Sequence, residues 1–307
     1  MPRVANIAFE SPPLTCTLPR VQSPQRDLEG RFIVVTGANT GIGRVTAEKL
    51  AERGASIVLA CRSEERTRPV LDAIRSRGGD AVFERLDLGS FESVREAAAR
   101  LLDRGRPIDV LINNAGLAGQ KGLTKDGFEL AFGTNHLGHF LLTVLLAPRL
   151  VEAKAARIVN VSSQSHYRAK GIDFDAVRRP TASVTGLPEY EVSKLANVLF
   201  TRELAKRIGP TGVHSYALHP GVIASEIWRE VPWPIRPIME LFMISTEKGA
   251  QTTLYCATSP EVADHDGRFY DDCRERKPNR IAFDDDLARK LWEKSVEWTG
   301  ADLDIAR

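Results

Sequence analysis

The chain has 307 residues, 43% of them apolar and 27% charged, with a formal net charge of +2. That is the composition of a globular protein able to bury a sizeable core, and the balanced charge excludes the strongly basic surface of a dedicated nucleic-acid binder. Cys16, Cys61, Cys256 and Cys273 show no C-x-x-C spacing, which argues against a disulfide framework or a cysteine zinc site and for a reducing compartment.

Residues 1–29 are proline-punctuated and lack sustained periodicity, so they read as an N-terminal extension to a single domain spanning 30–307. Glu10, Pro12 and Pro13 interrupt any apolar core there, so no secretory signal is expected. The longest apolar stretch, Phe140 to Ala147, is far short of the ~20 residues that cross a bilayer, and no transmembrane segment is expected. Cytoplasmic residence follows.

The domain opens on Phe32-Ile33-Val34-Val35-Thr36, a short apolar run of the kind that forms a strand buried on both faces. Gly37-Ala38-Asn39-Thr40-Gly41-Ile42-Gly43 follows at once, and then a helical stretch from Arg44 to Arg53. Glycines between a strand and a helix permit a tight turn and a close backbone approach to a pyrophosphate at the helix N-terminus. The second strand, Ser56 to Cys61, ends in Cys61-Arg62. An acidic residue there would hold a ribose 2′-hydroxyl, whereas an arginine suits a 2′-phosphate, so the expected cofactor is NADP(H).

Strand and helix continue to alternate. A helix from Glu64 to Arg77 leads to a strand at Ala81–Arg85 and then Asp87-Leu88, and a helix from Ser90 to Arg104 precedes strand Val110-Leu111-Ile112 and Asn113-Asn114-Ala115-Gly116. A helix from about Phe128 to Leu150 leads to strand Arg157–Val161 and Ser162-Ser163. This order predicts an α/β fold with a doubly wound parallel sheet. Asp87, Asn113 and Ser163 fall at strand carboxyl ends, where such sheets bind ligands.

Gln164 to Glu189 is glycine- and proline-rich and is expected over the mouth of the site. Beyond it, Tyr190 and Lys194 stand four apart at the start of a helix, on one face. A cation held near a phenol favours the phenolate, so Lys194 is expected to lower the pKa of Tyr190 and make it a general acid and base. A strand at His214–His219 closes in Pro220-Gly221, and residues 222–244 carry many large apolar side chains broken by prolines. They read as a flap over an apolar substrate, or else as a subunit interface or a peripheral membrane contact. A helix from Ser245 to Ala257, a strand near Arg268-Phe269-Tyr270 and a helix from about Asp285 to Trp298 complete the domain. His136 and His139 lack a third ligand, so no metal site is expected. Asn160-Val161-Ser162 fits a glycosylation pattern but falls in a buried strand, and Ser163 lacks the G-x-S-x-G elbow of a hydrolase.

Thr36 to Gly43, Asn113-Asn114-Ala115-Gly116, Ser163, Tyr190 to Lys194 and Pro220-Gly221 occur in the order and spacing of the short-chain dehydrogenase/reductase family, which the chain resembles from about residue 30 to 300. Thr134 to Phe140, Val161-Ser162-Ser163, Ser193 to Asn197, His219-Pro220-Gly221 and Ala60-Cys61-Arg62 resemble its retinol dehydrogenase branch. Many members of that branch carry an N-terminal membrane helix, which residues 1–29 do not offer, so a soluble relative acting on another hydrophobic carbonyl is expected. The resemblance implies that Tyr190 exchanges the proton, that Lys194 also holds the nicotinamide ribose, and that Ser163 donates to the reacting oxygen. It implies that Asn135 holds a water relaying protons to Lys194. Gly37, Asn39, Thr40, Gly41, Ile42 and Gly43 would line the pyrophosphate site and Arg62 the 2′-phosphate. Asp87 and Leu88 would border the adenine, and Asn113, Ala115 and Gly116 its ribose side. Pro220, Gly221 and Ile223 would flank the nicotinamide, with Ser225 near its carboxamide or diphosphate. Family habit implies a homo-dimer or homo-tetramer through the long helices.

The resulting expectation is an NADP(H)-dependent oxidoreductase interconverting an alcohol with a ketone or aldehyde on a small hydrophobic substrate. Two alternatives stand beside it. A sugar-nucleotide epimerase or dehydratase of the extended branch would show T-G-x-x-G-x-x-G and a larger C-terminal domain. A non-catalytic NADP-binding regulator would typically lack the tyrosine–lysine pair.

Overall fold

In the computed structural model, which describes residues 26–221 and 245–303, the apolar runs become a single eight-stranded sheet. The strands are β1 (Phe32–Thr36), β2 (Ser56–Cys61), β3 (Asp80–Arg85), β4 (Val110–Asn113), β5 (Arg157–Val161), β6 (His214–His219), β7 (Arg268–Asp271) and β8 (Arg274–Arg276). Their spatial order is β3-β2-β1-β4-β5-β6-β7-β8. All neighbours pair in parallel except β7 with β8. That last strand has no hydrophobic signal in the sequence: Arg274-Glu275-Arg276 is exposed throughout, and its charges suit an open sheet edge. The chain order reverses beside β1, where β4 takes its free edge, and there the strand ends open a crevice.

Helices α1 (Gly41–Glu52), α2 (Glu64–Ser76), α3 (Phe91–Asp103), α4 (Leu130–Glu152), α5 (Leu187–Ile208), α6 (Thr246–Thr258) and α7 (Asp285–Thr299) cover both faces. Successive strand residues point to opposite faces, and the burial follows that alternation. Val34, Val58, Leu111 and Ile158 enter the core under α3, α4 and α5. Ile33, Val35, Ile57, Leu59, Val110, Ile112, Val159 and Val161 enter the other core, with Ala47 and Leu50 of α1 and Leu254 of α6.

Leu130–Glu152 is long and apolar enough by composition to cross a membrane, yet 83% of its most apolar stretch is buried inside this fold. It is the central core helix. A π turn, Gly133–Leu137, interrupts it. Glycines bracket that turn because nothing larger fits: a Cβ on Gly133 would lie 2.4 Å from Thr124 Cγ2, and one on Gly138 2.4 Å from the Leu88 carbonyl oxygen.

Two expectations change here. Residues 26–29, assigned to the extension, belong to the body: Arg53 pairs with Asp27, and the Leu28 N–H donates to the Arg53 carbonyl at 3.0 Å. The long helices, expected to offer a subunit interface, are covered by their own chain. Trp292 of α7 lies 5.0 Å from Phe140 of α4 and 6.0 Å from Phe200 of α5, ring to ring, with the Arg207 guanidinium 4.6 Å over its other face. No residue of α5 between Tyr190 and Leu204 is exposed.

Candidate active site

The carboxyl ends of β1, β2, β4 and β5 and the N-terminus of α1 enclose a cleft of about 340 Å³. Its floor is the glycine turn. Gly37 and Gly41 have φ values of 65° and 57°, which favour glycine. Gly43 is required by contact: a Cβ there would sit 2.4 Å from both the Gly37 carbonyl oxygen and Asn114 Nδ2. Whereas Ser63 and Ser90 cap α2 and α3 with their side chains, α1 has neither a side-chain cap nor an acidic residue in its first turn. Its free N–H groups and positive dipole end face the cleft, a fit for a diphosphate.

At the β2 end, Cys61 is 3% exposed and its thiol is pushed up by burial, so it is an inert wall. Arg62 beside it is exposed, lines the cleft and forms no ion pair among the described residues. Ser63 and Arg66 line the same end. Asp87 and Leu88 follow on the adjoining wall; the Asp87 carboxylate accepts the Gly89 N–H at 3.0 Å, which holds it in place.

At the opposite end lie Tyr190 and Lys194, both lining the cleft although only 5% and 2% exposed. Lys194 Nζ donates to the Val161 carbonyl at 3.0 Å and stands 5.6 Å from the centroid of the Tyr190 ring. Burial pulls Lys194 down from 10.5 to about 8, which leaves it a cation at neutral pH. In this arrangement burial, ahead of Lys194, is the first influence on Tyr190. Burial dominates and raises the phenol above its ordinary value, and the opposing pull comes from the nearby Ser163 hydroxyl. Lys194 is directed to the β5 backbone. The Ser163 Oγ accepts the Ser165 N–H at 3.1 Å and donates to the Ser165 Oγ at 3.3 Å, so a ligand oxygen would take its hydrogen in place of the Ser165 hydroxyl.

Asn135 lies on the π turn, across Gly116 from Lys194: a Cβ on Gly116 would sit 3.3 Å from Lys194 Nζ and 3.4 Å from Asn135 Oδ1. Its amide is engaged by the protein, with one Oδ1 lone pair left over. Nδ2 donates to the Leu117 carbonyl at 3.0 Å and to Ser193 Oγ at 2.9 Å, and Oδ1 accepts the Leu117 N–H at 2.9 Å. Asn135 thus braces the 114–117 loop against the Tyr190 helix.

The same loop is fixed from below. His139 Nδ1 lies 3.0 Å from the Asn135 carbonyl and Nε2 2.9 Å from Thr36 Oγ1. A carbonyl can only accept, so Nδ1 carries the hydrogen and Thr36 donates to Nε2. The Thr36 oxygen then accepts the N–H groups of Asn114 and Ala115 at 2.9 and 3.0 Å. Burial holds His139 down to about 4, so it stays neutral. His136 is buried among Phe132, Phe140 and Phe200. Among the described residues no group of His, Cys, Asp or Glu side chains could hold a metal.

Gly37, Asn39, Thr40, Gly41, Ile42, Gly43, Arg62, Asp87, Leu88, Ala115, Gly116, Tyr190, Lys194 and Pro220 all line the one cleft. Asn113 does not. It is 1% exposed and donates to Thr143 Oγ1 at 3.0 Å and Asn160 Oδ1 at 2.8 Å. Asn113 shares the parity of Leu111, so it faces α4, and Asn114 takes the cleft side in its place. Gly221 is the last described residue of its segment, and Ile223, Ser225 and the 222–244 flap lie outside the described residues. Arg66, Asn114, Leu117, Gln120 and Thr134 line the cleft without having been singled out in the sequence. Of these, only Asn114 carried a signal, the strand alternation.

Comparison with known proteins agrees with this geometry. The family model described as short chain dehydrogenase matches residues 31–174. Human retinol dehydrogenase 13 is 40% identical over 291 residues, covering 91% of this chain and 88% of that protein. Bovine dehydrogenase/reductase SDR family member 13 is 43% identical over 281 residues, covering 89% and 74%. Among solved structures, an uncharacterized protein from Mycobacterium paratuberculosis superposes with a TM-score of 0.74 at 33% identity, covering 91% of this chain and 96% of that one. An NAD(P)-dependent gluconate 5-dehydrogenase from Beutenbergia cavernae, with NADP bound at low occupancy, gives a TM-score of 0.65 at 25% identity, covering 81% and 97%.

Proposed function

The chain belongs to the short-chain dehydrogenase/reductase family, and we propose that within it this protein is an NADP(H)-dependent oxidoreductase interconverting a hydrophobic alcohol with its aldehyde or ketone. One observation carries the reading. A buried tyrosine, on which the Ser163 hydroxyl acts from beside the cleft, and a buried lysine cation line the far end of a cleft whose near end is a glycine cradle on an uncapped helix. The cradle, the exposed Arg62 at the end of β2, suited to a 2′-phosphate, and the lysine fit an extended dinucleotide. When bound, that cofactor supplies or takes the hydride.

The chain's own residues handle the proton and the charge. Burial favours the neutral phenol of Tyr190, which gives its hydrogen to a carbonyl oxygen during reduction; in the reverse direction the phenolate takes a proton from an alcohol. Ser163 donates a second hydrogen bond to the same oxygen, where negative charge develops. Lys194, a cation below about pH 8, offers its remaining N–H groups to ribose hydroxyls and a positive field to the phenolate left behind. The intact tyrosine, serine and lysine argue against a purely cofactor-sensing role.

Relatives bearing the name retinol dehydrogenase motivate an apolar primary alcohol or its aldehyde as substrate. We place any self-association on surfaces other than α4 and α5, which α7 already covers, and residence in the cytoplasm. The test is NADPH consumption across a panel of aliphatic, aromatic and polyene aldehydes, with Tyr190→Phe beside the native protein. Turnover by the native protein and none by the variant, at an NADPH affinity altered only a few-fold, is expected. Binding of NADPH with no turnover of any carbonyl or alcohol, or near-native activity of Tyr190→Phe, sinks the reading.

A further inference from the structure

Ser163, two residues past β5, is extended, φ −165°, and starts a 3₁₀ turn, Gln164–Arg168. A short side chain on such a turn moves with the peptides on either side of it. What fixes those peptides therefore fixes where the hydroxyl points. His219 Nδ1 accepts the Gln164 N–H at 3.2 Å, and His166 Nδ1 lies 2.6 Å from the Ser163 carbonyl oxygen. His166 Nε2 accepts the backbone N–H of Asn279 at 3.1 Å. Only one tautomer satisfies both contacts of His166, with the hydrogen on Nδ1 and Nε2 bare.

Asn279 comes from beyond β8, and no bond of the sheet depends on it. Its Nδ2 donates to the carbonyls of His166, Tyr167 and Ala169 at 2.9, 3.3 and 3.0 Å, so one carboxamide collects three carbonyls of the turn after Ser163. Its Oδ1 accepts the Ile281 N–H at 3.0 Å, which anchors it in its own segment, and the Tyr167 hydroxyl donates to the Lys277 carbonyl at 2.6 Å. The imidazole is wedged between the Tyr167 and Phe269 rings, 4.0 and 4.7 Å away. The ionisable groups around it are Tyr167 on its own turn, His219 from β6, and Asp271 from β7, which accepts from Gln164 Nε2 at 3.2 Å. Burial lowers His166 from its ordinary value, consistent with the neutral tautomer.

We propose that His166 and Asn279 form a clip by which the segment after β8 aims the Ser163 hydroxyl at the reacting oxygen, making both of them positioning residues. The inference rests on the role given to Ser163 above. Neither residue touches the cleft: His166 is fully buried behind the turn, and Asn279 lies beyond it. Their influence runs through one peptide, Ser163–Gln164. A misplacement of about 1 Å at a donor can cost on the order of a hundredfold in rate.

The experiment compares Asn279→Ala, His166→Phe and Ser163→Ala, alone and with Asn279→Ala combined with Ser163→Ala. The readouts are kcat, the pH dependence of alcohol oxidation and the NADPH dissociation constant. The two clip variants are expected to lower kcat by roughly ten- to a hundredfold without altering NADPH affinity. Because the Ser163 hydroxyl pulls the Tyr190 pKa down, the lower apparent pKa of oxidation should rise in the clip variants as it does in Ser163→Ala. On the Ser163→Ala background, Asn279→Ala should cost nothing more, since its effect passes through the missing hydroxyl. A full additional loss on that background, or native kcat with only a lowered Tm, overturns the clip. Should Ser163→Ala itself keep native kcat, the role of Ser163 fails and takes the clip with it, a result distinct from failure of the clip alone. If His166→Phe does not fold, Asn279→Ala, a half-buried polar truncation, decides the matter.

Discussion

Replacing Lys194 with methionine should make the apoprotein more stable while abolishing turnover. The native lysine is 2% exposed, and burial holds it near 8 instead of 10.5. Keeping it charged in the fold at pH 7 therefore costs about 3 kcal/mol relative to the unfolded chain. Methionine of similar length removes that cost and loses one charge-assisted hydrogen bond, worth about 1.5–3 kcal/mol. The Val161 carbonyl is not orphaned, because Asn197 Nδ2 also donates to it at 3.3 Å. The variant should thus be the more stable by about 1 kcal/mol at pH 7. The pH dependence follows from the sign of the change. The folded protein holds its Lys194 proton less tightly than the unfolded chain does, so native stability rises between pH 8 and 10.5 as the buried amine discharges. By pH 10 the charging penalty should have shrunk to about 1 kcal/mol. Urea denaturation of both proteins at pH 7 and pH 10 measures the difference directly, with the background titration of other groups cancelling. A variant less stable than the native protein at pH 7, or a gap that does not narrow at pH 10, would refute the claim that Lys194 is retained at a cost to the fold.

Three further outcomes follow from the same geometry. Arg62→Ala should weaken NADPH by roughly ten- to a hundredfold, the loss of a charge-assisted contact of about 1.5–3 kcal/mol, and leave NADH nearly unchanged; titration of both nucleotides by fluorescence tests it, and equal weakening would show that Arg62 reads no phosphate. Gly43→Ala puts a methyl 2.4 Å from the Gly37 carbonyl oxygen and Asn114 Nδ2; prying the turn open should cost about 1–3 kcal/mol and at least tenfold in NADPH affinity, and native affinity by calorimetry would contradict it. Trp292→Ala empties the space between Phe140, Phe200 and Arg207 and should cost about 3–5 kcal/mol, a fall in Tm on the order of 5–10 °C. It should also bare an apolar face on α4 and α5, so sedimentation should show association beyond that of the native chain; a variant that sediments as the native chain does would mean that α7 is not what keeps those helices apart from a second copy.

Much of this molecule was written in short-range pattern. Apolar runs such as Phe32–Thr36 and Arg157–Val161 specify buried strands, and glycines between strand and helix specify the cradle, because both effects act within a few residues of chain. Tyr190 and Lys194 share a helical face by spacing alone, so their common destination was legible. What that spacing could not give was the energetics at the destination. Lys194 turned out to be tied to the Val161 carbonyl, and Tyr190 to be governed by burial and Ser163, because neither desolvation nor a cross-strand partner exists until the sheet is wound. The choice between Asn113 and Asn114 rested on the face each strand position presents, which the sheet and α4 fix together. Likewise the placing of Trp292 against Phe140 and Phe200, and of Asn279 against the turn after Ser163, joins residues far apart in the chain. Such contacts have no local signature: they arise only when the C-terminal segment is laid back on the body, and that was decided by tertiary packing alone.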